Sequence, residues 1–191
     1  MSPTRSLVAA LLLTTGVAQA GTIGGSSITA STSLPPFTYG SQTFSIDQIS
    51  DGINSDSPFN GFAANGIGNG RITLTLDQTY DLDSFVLWND INVSNEGVRT
   101  FTLEFLGAGG ASLGSTATLS AVSQLSPQTY SFASTVKGVK AINLDVLTSS
   151  LQIEIRELAF NGVSAVPEPS TLATLLVGLG GLFALSRTRR A

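Results

Sequence analysis

The sequence predicts an all-β protein, a jelly-roll β-sandwich of about eight strands, on three observations. First, apolar and polar residues alternate over short stretches, as in Arg71–Asp77, Thr100–Phe105 and Gln152–Arg156. This period of two is typical of strands with one buried face. Second, asparagine-glycine pairs and glycine runs separate the stretches, as expected of turns. Third, no long helical pattern occurs between Gly21 and Ala165.

Further strands are predicted where β-branched and aromatic residues concentrate: Gln42–Ile46, Phe85–Trp88, Gln128–Ala133 and Lys140–Leu147. Residues 21–36 are rich in serine, threonine and glycine and predict a loose first strand. The small, polar residues 112–126 predict a strand at a sheet edge with a loop. The body, residues 21–165, has the length of one domain with one core.

The first twenty residues predict a cleaved secretory signal peptide. Arg5 precedes the apolar run Leu7–Leu13, and Ala18 and Ala20 complete a cleavage site of small residues. Seven apolar residues are too few to cross a membrane, which argues against a retained anchor. The mature chain should begin near Gly21.

The last residues, 166–191, predict a short membrane segment with a basic stop. Pro167, Glu168 and Pro169 form an extended approach, because the two prolines fix φ and remove two backbone donors. The uncharged residues 170–186 would rise about 25 Å as a helix, at the low end of what crosses a bilayer. Three arginines follow and should stay cytoplasmic: Arg187, Arg189 and Arg190.

This order of triplet, glycine-bearing apolar run and arginine cluster resembles the PEP-CTERM sorting signal of Gram-negative bacteria that make exopolysaccharide. The resemblance implies that a membrane transpeptidase, an exosortase, recognises the tail, cuts near the triplet and passes the body outside. It further implies a precursor anchored in the inner membrane and a mature body at the cell surface or in the extracellular matrix. The alternative is an ordinary C-terminal anchor with a proline in its stalk.

Composition argues against several classes of function. The chain has no cysteine and no histidine, so it lacks disulfides, thiol nucleophiles, the usual base of serine hydrolases and the commonest zinc ligand. Residues 21–165 carry five basic and twelve acidic side chains, a formal net charge of −7. So acidic a body should not bind nucleic acid through its phosphates. Calcium and neutral sugars are better partners.

Four stretches of the body follow one another in a suggestive order. They read DGINSDSPFNGF from Asp51, RITLTLDQTYDLDSFVLWND from Arg71, VRTFTLEFLGAGG from Val98 and GVKAINLDVLTSSLQIEIRELAFNG from Gly138. This succession resembles the discoidin or F5/8 type C domain, the jelly roll also called the galactose-binding-like fold. The resemblance spans about residues 41–162. It implies a non-catalytic binding module for carbohydrate, frequently with a structural calcium.

The resemblance also implies where calcium would bind. In that family the ion is held by the DG loop and by a glutamate of the closing strand, which correspond here to Asp51 and Glu157. Asn54, Asp56 and Ser57 lie close to Asp51 and can add the oxygen ligands that calcium takes. The alternative is a plain turn and a solvated strand residue, since the loop lacks the spacing of an EF-hand.

A sugar site needs an exposed aromatic ring to cover a pyranose face and a few polar groups to orient the sugar. Trp88, the only tryptophan, lies at a predicted strand end and is the best candidate. Polar residues follow it and complete the candidate set: Asn89, Asp90 and Asn92. The alternative is a core tryptophan on the same strand face as Val86.

Three functions remain open from the sequence. The favoured one is an exported binding or matrix protein whose jelly roll contacts surface polysaccharide. The second is a carboxylate-dependent glycosidase, which would need a cleft with two carboxyl groups about 5 to 9.5 Å apart. Its carboxylates would come from one of two pairs, Asp81 with Asp83 or Glu154 with Glu157. The third is a structural matrix protein with no small ligand.

Overall fold

The computed structural model describes residues 20–55, 59–89, 91 and 96–165, all within one compact unit. Two short 3-10 helices lie at Gly25–Ser27 and Ile46–Ser50. The described residues otherwise form strands, whose bounds are β1 Gly21–Ile23, β2 Ile28–Thr32, β3 Phe37–Tyr39, β4 Gln42–Phe44, β5 Phe62–Ala64, β6 Gly70–Trp88, β7 Gly97–Leu106, β8 Ser112–Ser115, β9 Leu119–Ser120, β10 Gln128–Ser150, β11 Ile153–Ile155 and β12 Glu157–Ser164.

Two long strands, β6 and β10, run through both layers of a sandwich. The first half of β6 pairs with β2 and with the second half of β10, whereas its second half pairs with β12 and with the first half of β10. The front layer has the order β2, β6, β10, β7, with β8 and β9 at its edge. The back layer has the order β1, β12, β6, β10. The predicted all-β sandwich is confirmed.

The structure joins strands that the sequence predicted separately. Strand β6 contains both Arg71–Asp77 and Phe85–Trp88, and β10 contains both Gln128–Ala133 and Lys140–Leu147. The polar residues between these stretches break the alternation of apolar side chains. The backbone stays extended there because register shifts along the pairing of β10 with β6 absorb the irregularity.

The core lies between the two layers and is rich in aromatic rings. The ring of Phe85 on β6 lies 5.2 Å from Phe160 on β12 and 5.7 Å from Phe101 on β7. Tyr130 on β10 meets Phe101 edge to face at 5.1 Å. These contacts join strands of the front and back layers, so the aromatic side chains hold the sandwich together.

A hairpin and a 3-10 helix lead the chain from the front layer to the candidate site. In the β3–β4 hairpin, Phe37 stacks on Phe44 at 6.0 Å, and Phe44 is buried beside Ala63 and Ile91. Ser45 then caps the helix Ile46–Ser50, since its backbone N–H donates to the side chain of Gln48 at 3.0 Å. The helix ends at the DG loop.

Several predictions of the sequence fall outside the described residues. They concern the signal peptide with its Ala18, the tail with its Pro-Glu-Pro triplet and arginines, and four site candidates, which are Asp56, Ser57, Asp90 and Asn92. Within the described part of the chain, no helix has the length and apolar character to cross a bilayer.

Candidate functional site

One end of the sandwich, which we term the loop end, gathers most of the buried polar side chains. Among the described residues it consists of 51–55, 59–60, 89, 96–97, 121–127 and 151–157. Of the nine buried polar or charged residues in the described part of the chain, seven lie in or directly beside these segments: Ser50, Asn60, Asn89, Gln152, Glu154, Arg156 and Glu157. Buried polar groups require hydrogen-bond partners, so this end is held by a defined network.

Asn89 and Arg156 are the centres of that network. The fully buried Asn89 accepts a hydrogen bond from the backbone N–H of Val98 and donates to the carbonyls of Val98 and Val122, each at 2.8 Å. The guanidinium of Arg156 donates to the carbonyls of Asn54 and Leu125, at 3.1 and 2.8 Å. Asn89, predicted to face a ligand, is therefore used inside the protein to fix loops.

The structure brings Asp51 and Glu157 to the same place, although they lie far apart in the sequence. The backbone N–H of Gly52 donates to the Oε1 atom of Glu157 at 3.3 Å. The carboxylate of Asp51 accepts hydrogen bonds from the side chain of Asn60, at 3.0 and 3.2 Å, and from the N–H of Ile53 at 2.8 Å. The DG loop thus rests on the first residue of β12.

Glu157 is an unusual carboxyl group at this position. Its side chain is 3% exposed, and its Oε2 atom has no hydrogen-bond partner among the described residues. Burial, together with the nearby charge of Asp51, raises the pKa of Glu157 to about 7. A bound cation would supply the missing partner and favour the ionised form.

Of the remaining predicted metal ligands, only Asn54 lies among the described residues. The carbonyl oxygen of Asn54 accepts a hydrogen bond from Arg156, so a cation on one side of this oxygen is already present in the protein. Within the described segments, no group of three or more acidic side chains is close enough to hold a metal. Calcium would therefore need oxygens beyond Asp51 and Glu157, from the backbone, from Asn60 or from residues 56–58.

Trp88 lies at the end of β6, where Glu157 of β12 is its direct partner across the sheet. Its neighbour Leu87 points into the core, so the alternation of a strand places the indole on the opposite face of the back layer. The side chain is half-buried. Trp88 and the Asp51–Glu157 pair thus share one surface of the loop end.

The structure exposes an aromatic pair that sequence reasoning missed. Tyr39 is 75% exposed at the tip of the β3–β4 hairpin, and Phe59 is 51% exposed in the loop that follows Asp51. Gln42 lies opposite Tyr39 in the hairpin and donates from its side chain to the carbonyl of Phe59 at 2.6 Å. A signal was present in the sequence, because Phe37, Tyr39, Gln42 and Phe44 share one face of a hairpin with a Gly-Ser turn.

Two of the carboxylates named for a glycosidase, Asp81 and Asp83, have structural partners instead. Asp81 accepts a hydrogen bond from the N–H of Gly138 at 2.9 Å, and Asp83 accepts one from the hydroxyl of Thr135 at 2.6 Å. Both contacts fix irregular parts of β10 against β6. Glu154 is buried on β11 opposite Ala63.

The tail of the chain matches a known sorting signal. The sequence profile of the PEP-CTERM protein-sorting motif matches residues 165–190, which confirms the resemblance seen in the sequence. The motif marks the chain as an exported, sorted protein. No curated protein sequence matches the chain significantly.

The fold of the body is shared with known sugar-binding modules. The chain is similar to the family 32 carbohydrate-binding module of NanJ from Clostridium perfringens, solved in complex with galactose, with 13% identity, a TM-score of 0.60 and coverage of 75% of this chain and 99% of that one. It is similar to an F5/8 type C domain from Bacteroides fragilis, with 13% identity, a TM-score of 0.60 and coverage of 76% and 97%. A fucose-binding module of Streptococcus pneumoniae matches with 10% identity, a TM-score of 0.56 and coverage of 73% and 96%. These similarities establish the discoidin-like fold.

Proposed function

We propose that this protein is an exported, non-catalytic carbohydrate-binding protein, released or displayed outside a Gram-negative cell through its sorting tail. In this proposal an exosortase processes an inner-membrane precursor near Pro167–Pro169. The mature body then contacts surface polysaccharide in the extracellular matrix. The sorting motif and the discoidin-like fold support the two halves of the proposal.

The exposed pair Tyr39 and Phe59 is the observation that carries the binding half. Two exposed rings on loops that are bonded to each other offer an apolar surface of the kind that marks a binding site, and a pyranose ring can cover such rings through its C–H faces. The amide of Gln42 adds a polar group beside the rings, and its bond to the carbonyl of Phe59 orders the loop before binding. Trp88, with the polar residues that follow it, remains a further candidate contact.

Strand β12 separates the loop end from the start of the matched sorting motif. This strand begins with Glu157 at the loop end and finishes with Ser164, immediately before the sorting motif. Eight residues of strand at about 3.3 Å each separate the two points by roughly 25 Å. Residue 165 and the loop end therefore lie at opposite ends of β12.

Calcium is proposed as a structural ion between the DG loop and β12. Asp51 and Glu157 would ligate it, joined by Asn54, Asp56 or Ser57 as far as these reach. The buried Oε2 atom of Glu157, which has no hydrogen-bond partner among the described residues, supports the proposal, because an acidic oxygen in this position costs stability unless a proton or a cation accompanies it. The ion would pin the loop that carries Phe59.

A binding role is favoured over a glycosidase by the described surface. The groove of about 340 Å³ in the described part of the chain is lined by neutral residues, with no carboxyl group among them. Asp81 and Asp83 are occupied by bonds to β10. A glycosidase would instead need two carboxyl groups facing one cleft.

A glycan array tests the proposal, run on the purified full chain with 1 mM calcium and with EDTA. We expect binding to neutral glycans, weakened at least tenfold by Tyr39→Ala and little affected by Leu113→Ala, which removes an exposed apolar side chain on the front layer. Equal binding by both variants would overturn the assignment of the site. Release of reducing sugar from the bound glycan would overturn the non-catalytic assignment.

A further inference from the structure

A groove runs along the side of the sandwich, where the two layers end at different strands. The back layer ends at the first half of β10, whereas the front layer continues through β7 to β8 and β9. The edge of the front layer therefore overhangs the back layer. The space between them is a groove of about 340 Å³, within the range of small-ligand sites.

The floor of the groove is aromatic and rigid. Phe132 on β10 packs edge to face on Phe105 of β7 with ring centres 5.0 Å apart. Tyr130 is fixed by its ring contact with Phe101, and its hydroxyl donates to the carbonyl of Ser120 at 3.2 Å. Both Tyr130 and Phe132 are half-buried, so each ring has a face toward the core and a part toward the groove.

The rims of the groove carry hydroxyl groups and no ionisable side chain. The lining includes Ser115 and Thr116 from the front layer and Ser131 and Ser134 from the back layer. In a body with twelve acidic residues, a groove without any charge selects a neutral ligand that has both hydroxyl groups and apolar faces. A neutral sugar chain has this chemistry.

A bulge in β10 shapes one wall and disfavours a different occupant. Residues 132–135 of β10 lie opposite a single residue of β6, Asp83, because the register moves from Ser131 paired with Ser84 to Val136 paired with Leu82. Bulges of this kind often lie next to functional sites, and they interrupt the regular donors and acceptors of a strand edge. Pro127 and Lys137 flank the same edge, which protects it further against pairing with another strand.

We propose that this side groove is a second carbohydrate-binding site, which takes one or two residues from the interior of a neutral polysaccharide chain. The inference rests on the proposed carbohydrate-binding function but concerns a different surface from the loop end. Two sites on one domain would hold the same polymer together more tightly than either alone, because the second contact is intramolecular.

Hydrogen–deuterium exchange with mass spectrometry locates the site on the full chain, purified in a detergent without a sugar head group. The probes are linear neutral hexasaccharides of glucose, galactose and mannose. We expect at least one of them to slow exchange in peptides covering 112–120 and 128–137. Ala133→Trp, which fills the groove, should weaken that protection at least tenfold, whereas Thr129→Trp on the same strand, and Tyr39→Ala at the loop end, should retain it.

Two outcomes with the hexasaccharides would overturn the groove site: no protection of these peptides by any of them, or protection that survives Ala133→Trp. An extended nine-residue peptide serves as a further probe, and protection by this peptide but not by sugar would also overturn the site. Protection confined to residues 36–60 would refute the groove and leave the loop-end function standing. Protection of the groove peptides alone would support the groove site and refute the loop-end site. If Ala133→Trp fails to fold, Ser134→Lys on the exposed rim replaces it, with the same expected loss.

Discussion

Leu151 is the one non-glycine residue with a positive φ, +62°, in the described part of the chain. It lies in the turn between β10 and β11, which is closed by the N–H of Gln152 donating to the carbonyl of Ser150 at 2.6 Å. The left-handed region costs an L-residue roughly 1 to 2 kcal/mol. The side chain is 70% exposed, so core packing does not offset this cost.

We therefore predict that Leu151→Gly is more stable than Leu151→Ala by about 1 kcal/mol in the free energy of unfolding. Both substitutions remove the same exposed side chain, but only glycine removes the Cβ atom that makes the conformation costly. Urea denaturation monitored by circular dichroism gives the two values. An alanine variant at least as stable as the glycine variant would show that the turn is not strained.

Asn89 illustrates the opposite case, a polar side chain whose burial is fully used. Replacing it with alanine leaves the buried N–H and carbonyl of Val98 without this partner, and removes one of the two bonds to the carbonyl of Val122, which also accepts one from Gln128. At about 1 to 3 kcal/mol for each buried unpaired group, the loss at Val98 should lower the free energy of unfolding by about 2 kcal/mol or more.

Gln128→Ala is the matched control for Asn89, because Gln128 also bonds to the backbone of Val122, at 2.8 and 2.9 Å, but does so at an exposed site. Its loss should cost less than about 1 kcal/mol, since water replaces the bonds. Similar losses for the two variants, measured by urea denaturation, would mean that Asn89 does not organise the loop end.

At the scale of elements, the important contact joins a loop to a strand. The DG loop after the helix Ile46–Ser50 meets the first residue of β12, which is also the cross-strand partner of Trp88. An ion here would connect the loop that follows the first four strands to the last strand. Because the domain has no disulfide, such a connection would be its principal staple.

We predict that calcium stabilises the folded chain through this contact. An ion that binds only the folded state, at a concentration one hundred times its Kd, adds about 2.7 kcal/mol. For a domain of this size, 1 mM calcium should therefore raise the melting temperature by roughly 5 to 10 °C if Kd is about 10 μM. Scanning calorimetry in calcium and in EDTA measures the rise.

Asp51→Ala and Glu157→Gln should each remove most of that rise. In EDTA, Glu157→Gln should melt no lower than the parent chain, because the amide keeps the shape of the side chain and lacks the charge that Asp51 repels. Glu104→Gln on the front layer changes a carboxylate that bonds to Asn143, far from the loop end, and should keep the full rise. Identical melting in calcium and EDTA for the parent chain would exclude the ion.

The elements also show which parts of the fold the sequence can predict. Alternation located strands such as Arg71–Asp77 correctly, because each side chain there meets either core or water. The sequence did not predict that β6 and β10 are continuous strands. Their irregular middle parts are kept extended by pairing with each other, and this pairing joins residues far apart in the chain. The meeting of Asp51 with Glu157 came from resemblance to a family and not from local pattern, since nothing near either residue predicts the other.

The exposed residues were hardest to predict. The residues around Tyr39 and Phe59 in the sequence do not distinguish these rings from buried rings such as Phe62 or Phe85. Which ring reaches water depends on how the loops pack in the folded protein. Asn89 showed the converse error, because a polar residue after a strand is usually solvated. Here it is surrounded by segments from three parts of the chain.

At the scale of the whole molecule, we expect processing to require the tail as a unit. We predict that replacing Pro167, Glu168 and Pro169 together with alanine leaves an uncleaved, membrane-bound chain, because the helix that the sequence predicts for residues 170–186 would extend through the proposed cleavage site. Cell fractionation, with mass spectrometry of the C-terminus, checks this. Replacing Ser164 and Ala165, just before the triplet, with glycine is the control. Normal release of the alanine variant with an unchanged C-terminus would contradict the sorting model.

The pairing of β1 with β12 sets an order of events for such a chain. Gly21 lies opposite Gly162, so the first strand of the body finds its partner only in the last. In a chain exported amino terminus first, the back layer cannot close until residue 164 has emerged, and pairing between such distant segments is slow. In such a chain the body stays incomplete until its last strand has passed the membrane. In the proposed sorting model, a tail that delays departure from the membrane would give this strand time to dock before the protein is released.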